Sequence, residues 1–241
     1  MTTTTARPTR REERRAQTVE EIKRLAMRQV SEGGPDAVSL SGIVRQMSMS
    51  PAAVYRYFAS RDALLADLVV DAYDELADAL AARGRGTGTA TEHLEAVLQG
   101  TRAWALANGN AYRLVFHTGI GSGEALAPER TVGAASRSMT VLVDALSAVA
   151  GSSGHASTEP SVDAEAAVAL GTWAERSGLG ETSVEVLQLA LLTWTRLHGI
   201  ISLELGGHLA ATGVGAPVLF DAEVRATVAR AAGLPATGAD R

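Results

Sequence analysis

Apolar positions first settle into a helical rhythm at Val19, Ile22, Leu25, Ala26 and Val30, predicting an amphipathic helix over Arg10 to Ser31. Gly33, Gly34 and Pro35 stop it. Ser39 is placed to cap a short second helix, whose Leu40, Ile43, Val44 and Met47 fall at i, i+3, i+4 and i+7. "SMS" leaves room only for a tight turn. Ser50 is then the expected cap of a third helix running to Phe58, with Pro51 at its first position. Ser60 caps a fourth helix, which carries Asp62 in its first turn and reaches Arg83. After the glycine-rich linker "RGRGTGTAT" the pattern predicts helices near 90–108, 110–118, 125–150, 161–177, 182–208 and 219–232. "GIGSG", "GSSGHASTEP" and "ATGVGAP" separate most of these helices, and no segment alternates as a strand would. The expectation is an all-α chain with a disordered basic arm at 1–9, a head at 10–83 and a larger helical body at 84–241.

The third helix is too short to bury all of Tyr55, Arg56, Tyr57 and Phe58 against one core. Two short helices across a three-residue turn match a helix-turn-helix, whose second helix enters the DNA major groove. Val54 and Phe58, four residues apart, can pack inward. Pro51, Ala52 and Ala53 form a slim front for base edges, while Tyr55, Arg56 and Tyr57 can reach flanking phosphates. A helical hairpin capping the body would account for Val54 and Phe58 but leave two tyrosines and an arginine unused. Net charge is −5, which alone argues against a nucleic-acid partner. Its distribution reverses that argument: residues 1–61 hold eleven Lys/Arg against six Asp/Glu, and residues 62–241 hold eleven against twenty-one. A basic head on an acidic body suits a chain that meets phosphate at one end, although a solvated tail would show the same asymmetry.

The stretch "LSGIVRQMSMSPAAVYRYFASRDALLADLV" resembles the signature of the TetR (tetracycline repressor) family of one-component regulators, over about residues 10–75. The shared features are a hydroxyl residue opening helix 2 (Ser39), the aromatic block Tyr55, Tyr57 and Phe58, and then Arg61, Asp62, Leu64 and Leu65. The resemblance implies a three-helix DNA-binding head and assigns phosphate contacts to Ser39, Tyr55, Tyr57 and Arg61. It places base contacts on the front of helix 3, from Ser50 through Pro51, Ala52 and Ala53, and on Arg45 and Arg56. Arg7, Arg10, Arg11, Arg14 and Arg15 either reach the minor groove or flanking backbone, or form a solvated arm. The chain departs from the family at the turn, where Met47 and Ser48 replace Ala-Gly. Ser48 is therefore expected to adopt a backbone that glycine would take more easily. Tyr57 and Arg61 stand where the family commonly has His and Lys, which puts the operator sequence in question and not the family.

The body offers no catalytic constellation. There is no cysteine, which excludes disulfides and thiolate chemistry and fits a bacterial cytoplasmic protein, nucleoid-associated when bound to DNA. The five histidines lack metal spacing, no cofactor is implied, and "GRGTG" and "GIGSG" follow no strand. "VEVLQLALLTWTRLHGIISLEL" is interrupted by Gln188, Arg196 and His198, so it reads as a buried helix and not a membrane span. Within it, Trp194, His198 and Gly199 look like the Trp-His-Gly signature of one of the family's C-terminal subgroups. The resemblance makes the body a ligand-binding and dimerisation domain. Trp104, Tyr112, Phe116, Met139, Trp173, Trp194 and His198, with Arg113 as a second polar group, are the candidate pocket residues. Trp194 and His198 could equally be a packed core pair. An uncharged or anionic apolar effector is favoured, because neither His198 nor Arg113 has an acidic neighbour in sequence. Helices 182–208 and 219–232 carry more apolar surface than one core stripe needs, which suggests a homodimer through a four-helix bundle. The favoured function is a repressor that releases a near-palindromic DNA operator when a small molecule binds. The alternative is an all-helical enzyme or ligand carrier with an N-terminal interaction module.

Overall fold

The computed structural model describes residues 9–116, 128–153 and 162–234. Residues 1–8 of the expected arm, Arg7 among them, the "GIGSG" loop and most of "GSSGHASTEP" lie outside the described residues. The described residues form ten α-helices and two short 3-10 turns, with no strand among them. In chain order the helices are α1 (Arg10–Gly33), α2 (Leu40–Gln46), α3 (Pro51–Val54), α4 (Arg61–Gly84), α5 (Ala90–Ala107), α6 (Gly109–Phe116), α7 (Pro128–Ser153), α8 (Ala164–Ser177), α9 (Val184–Leu205) and α10 (Ala216–Ala232). The chain divides into two compact units, Met1–Asp71 with Asn110–Thr131, and Ala72–Gly109 with Val132–Arg241.

In the first unit α1 begins at a capping box. The Thr9 hydroxyl accepts from the Glu12 N–H, while the Glu12 carboxylate accepts from the Thr9 N–H at 2.7 Å. Ile22, Leu25, Ala26 and Val30 are buried, whereas the first two turns bury nothing. Gly34, at φ 78, ends the helix as the Gly-Gly-Pro stop predicts. The Ser39 hydroxyl caps α2 by accepting from the Gly42 N–H at 3.2 Å, and the Ser60 hydroxyl caps α4 through the Ala63 N–H at 3.0 Å. A Cβ on Gly42 would lie 3.0 Å from Gln29 Nε2, so α1 and α2 approach too closely there for a larger residue to fit without adjustment.

Three local expectations change. Helix α3 covers only Pro51–Val54. The Arg56 and Tyr57 N–H groups bond the Ala53 and Val54 carbonyls at 3.3 and 2.9 Å, and these three-residue steps tighten the chain into turns. Ser50 sits at the cap position, but its side chain makes no capping bond. Helices α9 and α10 span 184–205 and 216–232, because Gly206 and Gly207 end the first and Pro217 lies in the first turn of the second.

The second unit packs α9 against α5, α8 and α10, and α10 also against α5. Val186, Leu187, Leu189, Ala190, Leu197 and Ile201 bury the inner side of α9. Arg102 on α5 donates to Glu204 on α9 through Nε at 2.8 Å and Nη2 at 2.5 Å, a forked pair that raises the arginine pKa. By length and hydropathy alone, Val184–Leu205 and Arg130–Ser152 could each cross a membrane, with mean hydropathies of 1.3 and 1.2. Parts of both are buried inside the chain.

One face of α4 carries Asp67, Asp71, Asp74 and Asp78, spaced four, three and four apart. In the first unit Lys23 reaches Asp71 at 2.6 Å and Asp67 at 3.7 Å, and Arg130 also pairs with Asp67. In the second, Arg137 holds Asp74 and, at 2.8 Å, Asp78.

Candidate nucleic-acid interface and effector cavity

The α2–α3 turn is closed by backbone bonds of the Schellman type. The Met49 N–H bonds the Val44 carbonyl at 3.1 Å, and the Ser48 N–H bonds the Arg45 carbonyl at 3.3 Å. That motif requires a left-handed residue just past the helix, and Ser48 takes it at φ 52. The turn sets α3 over a core in which Val54 is fully buried and Phe58 nearly so. Anchored from below, α3 presents Pro51 and Ala52 to solvent, Ala53 partly, and Tyr55 with 57% of its surface exposed. Arg45, Ser50 and Arg56 are exposed around it.

The polar groups of this face are held differently. Ser39 Oγ, besides capping α2, lies 2.9 Å from Ser41 Oγ. Arg45 shares a cleft of about 420 Å³ with Gln29, Glu32, Ser39 and Gln46. Arg61 donates from Nη2 to the Pro35 carbonyl at 2.7 Å and to Asp36 at 3.0 Å, which ties the start of α4 to the turn after α1. The guanidinium of Arg15 stands over the Tyr57 ring, 5.1 Å from its centroid. Arg10, Arg11, Arg14 and Arg15 join Arg56 and Tyr57 around a second cleft of about 950 Å³. The sequence left these α1 arginines open between DNA contact and free arm. The Thr-x-x-Glu box at Thr9 and Glu12 is the signal that they belong to an ordered helix.

Of the expected effector residues, three share one cavity in the second unit. Met139, Trp194 and His198 line it with Leu76, Leu80, Thr101, Ser138, Leu142 and Leu197. The Trp194 and His198 rings are 5.1 Å apart and tilted by 57°. The space is about 30 Å³, room for about one water against the roughly 300–1,000 Å³ of a small-molecule site. Trp104, buried on α5, and Trp173, half-buried on α8, are not among its walls. Trp104 Nε1 has no hydrogen-bond partner among the described residues. Tyr112, Arg113 and Phe116 belong to the first unit, where the Tyr112 and Phe116 rings pack 4.8 Å apart and Arg113 is exposed. Among the described residues no three His, Asp or Glu side chains converge as metal ligands.

Comparison with known proteins agrees with this architecture. Residues 22–68 match the family model for bacterial regulatory proteins of the tetR family, and residues 94–227 match that for the tetracyclin repressor-like C-terminal domain. The HTH-type transcriptional regulator Rv1816 of Mycobacterium tuberculosis is 31% identical over 229 residues, covering 93% of this chain and 97% of its own. The crystal structure of the regulatory protein SCO4313 superposes with a TM-score of 0.75 at 34% identity, over 92% of this chain and all of that one. FadR from Bacillus subtilis, solved in complex with stearoyl-CoA, shares the fold at a TM-score of 0.59 and 13% identity, over 88% of this chain and 98% of its own. With its helix-turn-helix head and its helical C-terminal domain both matched, the chain belongs to the TetR family of transcriptional regulators, and is a regulator and not an enzyme.

Proposed function

We propose that the protein is a homodimeric repressor that binds a near-palindromic operator through α3 and releases it when a small apolar molecule enters the body. The observation that carries the DNA-binding part is the two-sidedness of α3. Val54 and Phe58 are buried beneath it, while Pro51, Ala52, Tyr55 and Arg56 face solvent above. A small-residue front can meet thymine methyls, and Arg45 and Arg56 can read guanine through paired hydrogen bonds. Ser39, Tyr55, Tyr57 and Arg61 supply backbone contacts. Arg61 must then exchange its bonds to Pro35 and Asp36 for a phosphate, or share them.

In this reading residues 10–83 act as the DNA-binding head and residues 84–241 as the effector and dimerisation body, working in the bacterial cytoplasm. The outer side of α9 exposes Leu192, Thr195, Gly199 and Leu203 at helical spacing. The outer side of α10 exposes Val218, Ala222 and Ala229, with Arg225 exposed between the two alanines. Together they suit a four-helix interface between two copies.

The effector site is the cavity at Met139, Trp194 and His198. At about 30 Å³ it holds no organic ligand as it stands, so binding requires its walls to part. A conformational change of that kind is what lets a ligand discriminate between two states. FadR, which shares the fold, is solved in complex with stearoyl-CoA, and an uncharged or anionic apolar molecule fits the present lining. The test is selection of duplexes from a random pool by the full-length protein, followed by titration of apolar and acyl ligands against the selected complex. Sequence-specific retention and ligand-induced release are expected. Retention without release by any ligand that raises the melting temperature would remove the effector part.

A further inference from the structure

Four helices of the second unit wall the effector cavity: α4 through Leu76 and Leu80, α7 through Met139 and Leu142, and α5 and α9 through Thr101 and Leu197. At about 30 Å³ the space admits an organic molecule only if two of these walls separate. Its lining hydroxyls are spent within their own helices, Thr101 donating to the Val97 carbonyl at 3.2 Å and Ser138 to the Ala135 carbonyl at 2.9 Å. The walls differ in what ties them together. Arg102 on α5 forks onto Glu204 on α9, and the two side chains are only 20% and 19% exposed. A charge-assisted fork largely withdrawn from water is strong and little screened by salt. Between the other two walls, Arg137 on α7 uses both ends of its guanidinium on α4: Nη1 donates to Asp74, and Nη2 to Asp78 at 2.8 Å. Arg137 comes two residues before Met139 of the wall, just as Asp74 and Asp78 come two before Leu76 and Leu80. One guanidinium therefore spans a full turn of α4 and opposes both separation and sliding of the two helices. Yet Arg137 is 51% exposed and Asp78 74%, and ion pairs set in water are weak and salt-sensitive.

We infer that Arg137, through Asp74 and Asp78, is the latch of the effector cavity: it holds the α4 and α7 walls together, and an effector enters when that tie gives way. This assignment rests on the effector reading above. The weaker of the two ties yields first, so the cavity opens between α4 and α7 while the Arg102 fork keeps α5 on α9. Arg137 is not among the residues that line the cavity, and it acts through the walls as a positioning residue. A latch that favours the closed state weakens the apparent binding of every ligand, in proportion to the open fraction it leaves. Removing the latch therefore tightens binding, the reverse of removing a group that touches the ligand.

The experiment follows uptake of N-phenyl-1-naphthylamine, an uncharged apolar fluorophore, by the full-length protein without DNA. Because the probe is uncharged, sodium chloride acts on the protein's ion pairs and not on an ionic contact with the probe. Arg137→Gln is compared with the wild type, with Arg137→Lys, and with Arg196→Gln, which removes a similarly exposed pair between α9 and α10. Glutamine keeps helix propensity close to that of arginine, and circular dichroism checks that each variant is folded. At about 20 mM salt Arg137→Gln is expected to bind about three- to tenfold more tightly than the wild type, as the loss of two exposed ion pairs allows. Arg137→Lys, whose compact ammonium lacks the two-ended fork, should fall between them, and Arg196→Gln should match the wild type. Raising the salt to about 300 mM should bring the wild type towards Arg137→Gln and leave that variant nearly unchanged. Adding Met139→Trp to Arg137→Gln fills the cavity from a half-buried position and should abolish uptake. Arg137→Gln with wild-type affinity, or with the wild-type response to salt, overturns the latch while leaving the cavity as the effector site. Uptake that survives Met139→Trp, or no uptake by any of these proteins, overturns the effector reading and the latch with it.

Discussion

Ser48 shows how a single residue can be read through its neighbours. Its left-handed backbone follows from the need to close α2 and reverse the chain within three residues, a position that favours glycine. Ser48→Gly should therefore raise stability by about 1 kcal/mol, the usual cost of a left-handed non-glycine residue. Thermal melts check this, and an unchanged or lowered midpoint would mean that the Ser48 backbone is unstrained. Arg61 was legible as a cation near the start of α4, but its present partners were not. Its bond to the Pro35 carbonyl joins positions twenty-six residues apart, and no local pattern announces such a pairing. Arg61→Ala should lower operator affinity for all sequences alike and also destabilise the chain by about 1 kcal/mol through the missing hydrogen bond. Affinity and melting point measured on the same variant separate the two effects.

At the scale of elements, helices with an apolar stripe and a capping hydroxyl were the most readable. Ser39, Ser60 and the Gly34 stop stand where the pattern put them, because caps and period-3.6 burial are local. Helix α3 was overestimated because its last residues satisfy their N–H groups in tight turns, which sequence propensity does not distinguish from a further helical turn. The ladder Asp67, Asp71, Asp74 and Asp78 on α4 went unread in the sequence, because its partners Lys23, Arg130 and Arg137 are brought to it only in three dimensions. The α1 cap gives a pH test. Hydrogen bonds from the Thr9 backbone and then its hydroxyl hold the Glu12 carboxyl below its ordinary range. A lowered folded-state pKa contributes stability above the unfolded value, and that contribution is lost as pH falls through the folded one. The first turn of α1 should therefore stay helical through the usual glutamate range and fray only at more acid pH. The amide signals of Thr9 and Glu12 followed by NMR report this directly; fraying at or above the ordinary glutamate range would contradict it.

At the scale of the whole molecule, the all-α class followed from unbroken helical periodicity, and the family from the residues around α3. The effector residues were the least legible. Aromatic side chains are scarce, and whether Trp104, Trp173 or Trp194 faces a common space depends on helix rotations that the sequence does not encode locally. Only Trp194, with Met139 and His198, reaches the cavity. Dimerisation is testable on the outer side of α9. Leu203 is 45% exposed in the single chain, so Leu203→Glu should leave the fold intact while stranding a charge in a two-fold interface. Sedimentation should show a wild-type dimer and a folded monomeric variant; a monomeric wild type at micromolar concentration would remove the dimer. The central claim, that α3 reads a specific operator, is tested most directly by hydroxyl-radical footprinting on duplexes selected from a random pool. Two protected half-sites related by a dyad and separated by about one DNA turn or somewhat more are expected. Arg45→Ala and Arg56→Ala should each relax preference at particular base pairs, at about 1–3 kcal/mol. A pool that yields no preferred sequence, or a footprint that both variants leave unaltered, would contradict it.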